Sequence, residues 1–207
     1  MLEHNHPDAP RRARALLRAH TLGVMLADET PTPVRYAVLP GTGQLIVDVD
    51  RDILDAHEHV LIIPEESFTP PLSLMLSLSE TDDEALHDRH RAYHGESPLT
   101  HYAVATILGG KLDNSEVVDE DELQQPNPLG PVISPLGRLL NADRSILASI
   151  CRSLTGATPE EPTAVGIDPH GFDVRARFGV IRARFEEPCV DEQAAREAIE
   201  RLIGDHS

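Results

Sequence analysis

The sequence predicts an α+β protein, in which an antiparallel β-meander is followed by a smaller module of helices and strands. Short segments of alternating or continuous hydrophobicity fill the first half of the chain, and longer amphipathic segments dominate the second half. The core must be aliphatic, because 40% of the 207 residues are hydrophobic, only 3% are aromatic, and tryptophan is absent.

The meander is predicted at the start of the chain. Segment 9–20 places apolar side chains at helical spacing, and Pro10 suits a first helical turn. "ETPTP" is expected to be a turn, and Gly41–Gly43 supplies the positive φ angles of a hairpin. The strands flanking these two turns are predicted at 22–28, 34–40 and 44–50.

Five further elements complete the first half. Segment 51–59 predicts a short helix, and 60–65 a buried strand. Strand 70–80 alternates Leu with Ser and Met, which is typical of a half-buried strand. "TDDEALHDRHRAYHG" predicts a helix with a capping box and a glycine stop, and strand 100–113 contains a Gly-Gly pair that predicts a bulge.

The composition changes between Asn114 and Pro135, where acidic residues and prolines indicate a linker. We therefore predict a barrel-forming domain, a linker and a C-terminal α+β domain at 10–118, 119–135 and 136–207. The last domain is expected to contain a helix over 136–156, a strand at "AVGID", a hairpin, and a helix over 191–206 that ends at Gly204.

Charge and composition exclude several classes of partner. The chain has 35 acidic and 18 basic residues and a formal charge of −17, which argues against nucleic acid and against an anionic membrane surface. Two cysteines without a C-x-x-C motif indicate neither a disulfide framework nor a thiolate zinc site. No apolar run suits a membrane span or a signal peptide, so a cytoplasmic location is expected.

The common catalytic signatures are absent from the sequence. It contains no G-x-S-x-G, P-loop, G-x-G-x-x-G or H-E-x-x-H motif. No catalytic residue is therefore predicted, and the sequence leaves open whether the protein is an enzyme.

The segment "GIDPHGFDVRARFGVIRARFEEP" gathers four arginines, namely Arg175, Arg177, Arg182 and Arg184. If Phe178 and Gly179 form a two-residue turn, Arg175 faces Arg182, Asp173 faces Arg184, and the four guanidinium groups share one face. Guanidinium groups match carboxylate and phosphate geometry. Two interpretations stay open: an anion-binding cluster, or arginines that pair with the protein's own acids.

The helix "HDRHRAYH" carries three histidines on one face, His87, His90 and His94. Neutral imidazoles are ligands for metals and for heme iron, which makes His94 a candidate ligand. The interspersed charges favour the alternative, a solvated or interface face.

The order of these elements resembles the heme-utilisation (HugZ/HutZ-type) family. The resemblance is carried by "RARALLRAHTLGVMLAD", "LLNADRSIL", the arginine hairpin and the terminal helix. It implies a pyridoxamine-phosphate-oxidase-like antiparallel split β-barrel, followed by a small α+β C-terminal domain. It also implies a bacterial homodimer with a heme or FMN site at the subunit interface, and His206 as the match to the iron-binding histidine of relatives.

Two departures from the family are visible. The histidine expected after "NAD" is Arg144. The strand that grips the FMN phosphate in flavin-binding relatives carries Asp48, Asp50 and Asp52 here, which disfavours flavin.

Three functions follow from this reasoning. The first is a tetrapyrrole (heme) binding protein involved in heme utilisation or degradation, with the four arginines gripping propionates and His206 or His94 holding iron. The second is an FMN-dependent oxidoreductase, and the third is a cofactor-less dimeric binding or regulatory protein. The acidic strand weakens the second function, and the few aromatic side chains weaken the first two.

Overall fold

The protein is described by a computed structural model that covers residues 8–64, 71–99 and 101–207. These residues form two compact units. The first contains the described residues up to Arg91 together with Gly95–Gln125, and the second contains Ala92–His94 and Pro126–Ser207. The domain limits expected from composition stay a prediction.

The first unit is dominated by antiparallel strands. Its elements are α1 (Ala9–Ala19), β1 (Leu22–Ala27), β2 (Thr30–Val38), β3 (Leu45–Val49), α2 (Arg51–Leu54), β4 (His59–Ile63), β5 (Leu72–Glu80), α3 (Glu84–His94), β6 (His101–Leu112), β7 (Glu116–Val118) and α4 (Glu120–Leu123). The last three residues of α3 group with the second unit.

The strands of the first unit close into a barrel. Their order is β3-β2-β1-β4-β5-β6-β7, and β3 also pairs with β6, so that six strands form the closed barrel and β7 extends it. All pairs are antiparallel, which confirms the predicted antiparallel barrel with a smaller α+β part after it. Closure removes the exposed edges that an open sheet would present.

The predicted alternation of β5 and the predicted bulge in β6 are both observed. Leu72, Leu74 and Leu76 are buried in the aliphatic barrel core. Met75 pairs with Gly109 while Leu76 pairs with Ile107, so β6 contains one extra residue at this point. The bulge lies beside the Gly-Gly pair, where Gly109 has φ 146°.

Several boundaries in the first unit differ from the prediction. Asp28 and Glu29 form the first tight turn, with φ of 47° and 70°, and "ETPTP" lies mostly within β2. The helix predicted over 51–59 ends at Leu54, and its last predicted residue, His59, begins β4. Helix α3 is capped by Asp83, whose side chain accepts the Ala85 N–H, rather than by the predicted capping box.

The acidic and proline-rich stretch predicted as a linker contains ordered structure. It includes α4 and a short 3₁₀ turn at Gly130–Val132. Leu123 is buried in the first unit and Leu129 in the second.

The second unit packs three helices with a three-stranded antiparallel sheet. Its elements are α5 (Ile133–Leu140), α6 (Arg144–Thr155), β8 (Thr163–Asp168), β9 (Gly171–Ala176), β10 (Gly179–Arg184) and α7 (Glu192–His206). The strand order is β10-β9-β8, which makes β8 an edge strand. Phe172, Val174 and Ala183 face a core that also receives Leu136 and Ile150 from the helices.

Two helix predictions in this unit were wrong. The helix expected over 136–156 is divided into α5 and α6, because Asp143 accepts the N–H groups of Ser145 and Ile146 and thereby begins a new helix. The terminal helix continues through Gly204 to His206 instead of ending at the glycine.

Candidate functional site

The arginine hairpin has a different register from the predicted one. Gly179 pairs with Ala176, so the turn consists of Arg177 and Phe178. Arg182 therefore faces Asp173 rather than Arg175. The predicted pairing of Asp173 with Arg184 was wrong, because Arg184 faces Gly171. The physical reason is Gly179, whose φ of 137° suits glycine at the first position after the turn.

Arg182 is enclosed by two carboxylates of its own sheet. Its Nη2 lies 2.6 Å from Asp168 Oδ1 and its Nη1 lies 3.0 Å from Asp173 Oδ1. The three side chains are at most 13% exposed. Burial alone would lower the pKa of Arg182, but the two carboxylates outweigh burial and raise it. Arg182 therefore acts as the centre of a buried ion-pair cluster.

The other hairpin arginines differ from one another. Arg177 pairs with Glu160 at 3.2 Å on the surface. Arg184 is exposed at the end of β10, and Arg175 lies half-buried on β9. Pairing with the protein's own acids thus occurs at Arg177 and Arg182, and the cofactor-binding role of the four arginines stays a prediction.

A cavity of about 440 Å³ in the second unit, here called the α5–β8 cavity, includes Arg175. This volume falls within the roughly 300–1,000 Å³ typical of small-molecule sites. Its lining comes from the end of α3, one face of α5, strand β8 and β9: Ala92, Ile133, Ser134, Gly137, Arg138, Asn141, Thr163, Ala164, Val165, Gly166, Ile167 and Arg175.

The wall of the α5–β8 cavity is fixed by an asparagine. Asn141 Oδ1 accepts the Ala164 N–H at 2.7 Å, and Asn141 Nδ2 donates to the Ala164 carbonyl at 3.0 Å. The side-chain amide therefore occupies the edge of β8 in the way a neighbouring strand would. A second amide, from Asn127, donates to the Ile167 carbonyl at 2.6 Å.

The charged groups of the α5–β8 cavity are all positive. Arg138 on α5 and Arg175 on β9 are its two guanidinium groups, and Ser134 and Thr163 add hydroxyls. None of the described residues that line the cavity is an Asp or a Glu. Arg175 was among the residues predicted from the sequence and Arg138 was not; the signal for Arg138 is its i, i+4 spacing from Ser134 on the same helix face.

The two histidines predicted as iron ligands lie at the ends of different helices. His94 is the last residue of α3, and its ring lies 6.2 Å from that of Tyr93. His206 belongs to the last turn of α7, where its Nδ1 is 2.7 Å from the Leu202 carbonyl oxygen. Iron binding by either one stays a prediction.

A second polar cluster, missed by the sequence analysis, lies on the outer side of the barrel. Extended by one residue pair, the β2–β3 register places Arg35 opposite Asp48. Asp48 also pairs with Tyr102 of β6. Helix α3 covers this row with His87, whose ring stacks on Tyr102 at 4.2 Å, and with His90. The predicted solvated face was therefore wrong for His90, which is fully buried.

Asp48 is held as a buried anion in this cluster. It is 1% exposed and contacts the guanidinium of Arg35, the hydroxyl of Ser97 at 2.7 Å and Nε2 of His90 at 3.3 Å. Burial raises the pKa of Asp48, but the hydrogen bonds from His90, Arg35 and Ser97 outweigh it and keep that pKa well below its ordinary value. Asp48 is therefore ionised at neutral pH.

The barrel unit has its own cavity of about 270 Å³ beside this cluster, here called the barrel cavity. Arg35 and Asp48 are its charged groups, and its apolar lining is Leu22, Pro33, Val34, Pro98 and Leu99. An FMN phosphate does not fit here, because the cation it would need is already matched by a buried carboxylate. The structure thus gives a physical reason for the predicted weakness of the flavin hypothesis.

A heme-type ligand fits the α5–β8 cavity in one respect and not in another. The two arginines suit carboxylates, but the lining residues that the structure describes include no His, Cys, Met or Tyr that could bind iron. Across residues 8–64, 71–99 and 101–207, no cluster of three or more His, Cys, Asp or Glu side chains suits a metal ion.

Over the same ranges, every helix is too short or too polar to cross a membrane.

No family model matches the chain, and neither does any curated protein. The chain is similar in fold to a protein of unknown function from Agrobacterium tumefaciens, with a TM-score of 0.73, 16% identity, and coverage of 97% of this chain and 98% of that one. A heme binding protein from Mycobacterium smegmatis aligns with a TM-score of 0.43 and 17% identity over 97% of this chain and 98% of its own. The first similarity establishes the fold over almost the whole chain.

Proposed function

We propose that this protein binds a tetrapyrrole of the heme type in the α5–β8 cavity, through the carboxylates of the ligand. The observation that carries the proposal is the pair of arginines, Arg138 and Arg175, in a cavity whose described lining residues include no Asp or Glu. Guanidinium groups form charge-assisted hydrogen bonds with carboxylates, and such bonds are about twice as strong as neutral ones.

The remaining surface of the cavity suits one edge of a flat apolar ring. Small side chains at Ala92, Gly137 and Ala164 leave space, and Ile133 and Ile167 add apolar surface. Iron would supply redox chemistry in such a ligand, but the lining residues give it no ligand. The proposal is therefore one of binding, and it assigns no catalytic step to this chain.

Gly137 allows the cavity to be filled without disturbing the fold. A Cβ built on Gly137 meets no atom within 4 Å, and the residue lies within helix α5. Leu at this position would extend into open space and would favour the helix by roughly 1 kcal/mol relative to glycine. Gly204 in α7 has the same open surroundings and lies outside the cavity, which makes it the matched control.

The test is a titration of wild type, Gly137→Leu and Gly204→Leu with hemin and with metal-free protoporphyrin IX, followed by absorbance and fluorescence. We expect wild type and Gly204→Leu to bind both porphyrins with similar affinity, and Gly137→Leu to bind both at least tenfold more weakly. Unchanged binding by Gly137→Leu would remove the ligand from this cavity. Hemin binding more than about 100-fold tighter than protoporphyrin would point to an iron ligand, and hence to a different site.

Substitutions of the two arginines provide a second test of the same proposal. Arg175→Gln and Arg138→Gln should each weaken protoporphyrin binding about tenfold, because each removes one charge-assisted hydrogen bond of roughly 1.5 kcal/mol. Arg152→Gln is the control, since Arg152 is an exposed arginine on α6 of the same unit and does not line the cavity. An equal loss in all three variants would indicate general electrostatic attraction rather than this site.

A further inference from the structure

The barrel cavity differs from the α5–β8 cavity in the charge that it offers to a ligand. Its two charged lining residues, Arg35 and Asp48, form an ion pair and sum to zero. Arg35 keeps a partly accessible side chain, 28% exposed, whereas Asp48 is almost completely enclosed. A ligand in this cavity therefore meets guanidinium N–H donors without a net positive charge.

The pair is fixed in place by its surroundings. Ser97 donates to Asp48 at 2.7 Å and lies 3.2 Å from Nη2 of Arg35, and the Leu99 N–H donates to the Ser97 hydroxyl at 2.9 Å. His90 Nε2 lies 3.3 Å from both Asp48 Oδ1 and the Arg35 carbonyl oxygen. The Arg35 guanidinium contacts Asp48 and Ser97 through Nη2, and Nη1 and Nε carry its other N–H groups.

An anionic ligand would be placed beside a fixed negative charge in this cavity. Asp48 cannot escape the repulsion by taking up a proton at neutral pH, because its partners are a guanidinium and two further donors. A neutral carbonyl group meets no such repulsion and can still accept a hydrogen bond from Arg35. The apolar walls formed by Leu22, Val34 and Leu99 suit a small hydrocarbon body.

We propose that the barrel cavity is a binding site for a small uncharged carbonyl compound with an apolar body, and that Asp48 excludes carboxylates and phosphates from it. This site is separate from the tetrapyrrole site proposed above and does not depend on it. It also gives the acidic strand a role: Asp48 sets the charge of acceptable ligands.

The test uses two probes of nearly equal shape, isovaleramide and isovalerate. The first carries an uncharged amide where the second carries a carboxylate. Binding at pH 7 is followed by shifts of the Val34 and Leu99 methyl resonances in the 207-residue chain. We expect wild type to bind the amide at least tenfold more tightly than the acid. Wild type that prefers the acid, binds both equally, or binds neither at millimolar concentration would overturn the proposal.

Two variants sharpen this test. Asp48→Asn removes the fixed charge at nearly constant shape and should improve isovalerate binding at least tenfold, in line with the loss of a close like charge. Asp52→Asn removes an exposed acid of the following helix, outside the cavity, and should leave the preference of wild type unchanged. If folded Asp48→Asn still rejected isovalerate, Asp48 would not be the selecting group. Should Asp48→Asn fail to fold, the preference of wild type alone decides the proposal.

Discussion

The two cavities contain the same kind of cation but differ in what lies beside it. In the barrel cavity, Arg35 contacts Asp48, a carboxylate that is 1% exposed. In the α5–β8 cavity, Arg138 and Arg175 share the lining with hydroxyls, an amide and apolar groups, and the described lining residues include no Asp or Glu. We propose that the ligand charge a cavity accepts depends on the position of the nearest carboxylate and not on its arginine content alone.

Arg182 is the extreme case in this comparison, because two carboxylates enclose it. Arg182→Met would remove the guanidinium that contacts both buried carboxylates, Asp168 and Asp173, and we expect a loss of about 3–5 kcal/mol in the free energy of unfolding. The measurement is urea unfolding followed by circular dichroism.

Arg184→Met is the matched control for Arg182→Met, since Arg184 is an exposed arginine of the same strand. It should change the free energy of unfolding by less than about 0.5 kcal/mol. Under conditions where Arg182→Met is folded, its protoporphyrin affinity should equal that of wild type. If Arg182→Met were folded with normal stability but no longer bound protoporphyrin, Arg182 would have to be a ligand-binding residue.

The polar cluster around Asp48 predicts a smaller effect on stability, and this effect depends on pH. The pKa of Asp48 is depressed in the folded protein, so its stabilisation is fully present above the ordinary aspartate value near 3.9 and is lost as the pH falls below it. Between pH 7 and pH 3, the stability difference between wild type and Asp48→Asn should shrink by about 1 kcal/mol. Urea unfolding of both proteins at the two pH values measures this difference. A difference that stayed constant would show that Asp48 is not held ionised by its partners.

Much of the fold was accessible from the sequence because local patterns determine it. The alternating leucines of β5, the glycine turn before β3 and the amphipathic terminal helix each predict their element without tertiary information. Closure of the barrel by β3 and β6 depends on pairing between strands more than 50 residues apart, such as Leu45 with Ala105, and no local pattern encodes it.

The sites were harder to predict, because they depend on register and on packing between elements. The hairpin turn lies one residue earlier than expected, and this changes the partner of Arg182 from Arg175 to Asp173. Similarly, Asp48 and His90 lie in acidic and charged segments that suggest solvent exposure, yet α3 buries both against the barrel. A usable signal was present in β3, where Asp48 stands among buried aliphatic residues.

The most direct measurement of the central claim is to build the Arg35–Asp48 arrangement into the α5–β8 cavity. Ser134 precedes Arg138 by four residues on α5, so Ser134→Asp places a carboxylate where it can pair with that guanidinium. Ser134→Asn is the neutral control of the same shape. We predict that Ser134→Asp weakens protoporphyrin binding five- to tenfold, roughly 1 kcal/mol, whereas Ser134→Asn binds like wild type. Equal affinity in the two variants would contradict the claim that a neighbouring carboxylate decides which ligand an arginine-bearing cavity of this protein accepts.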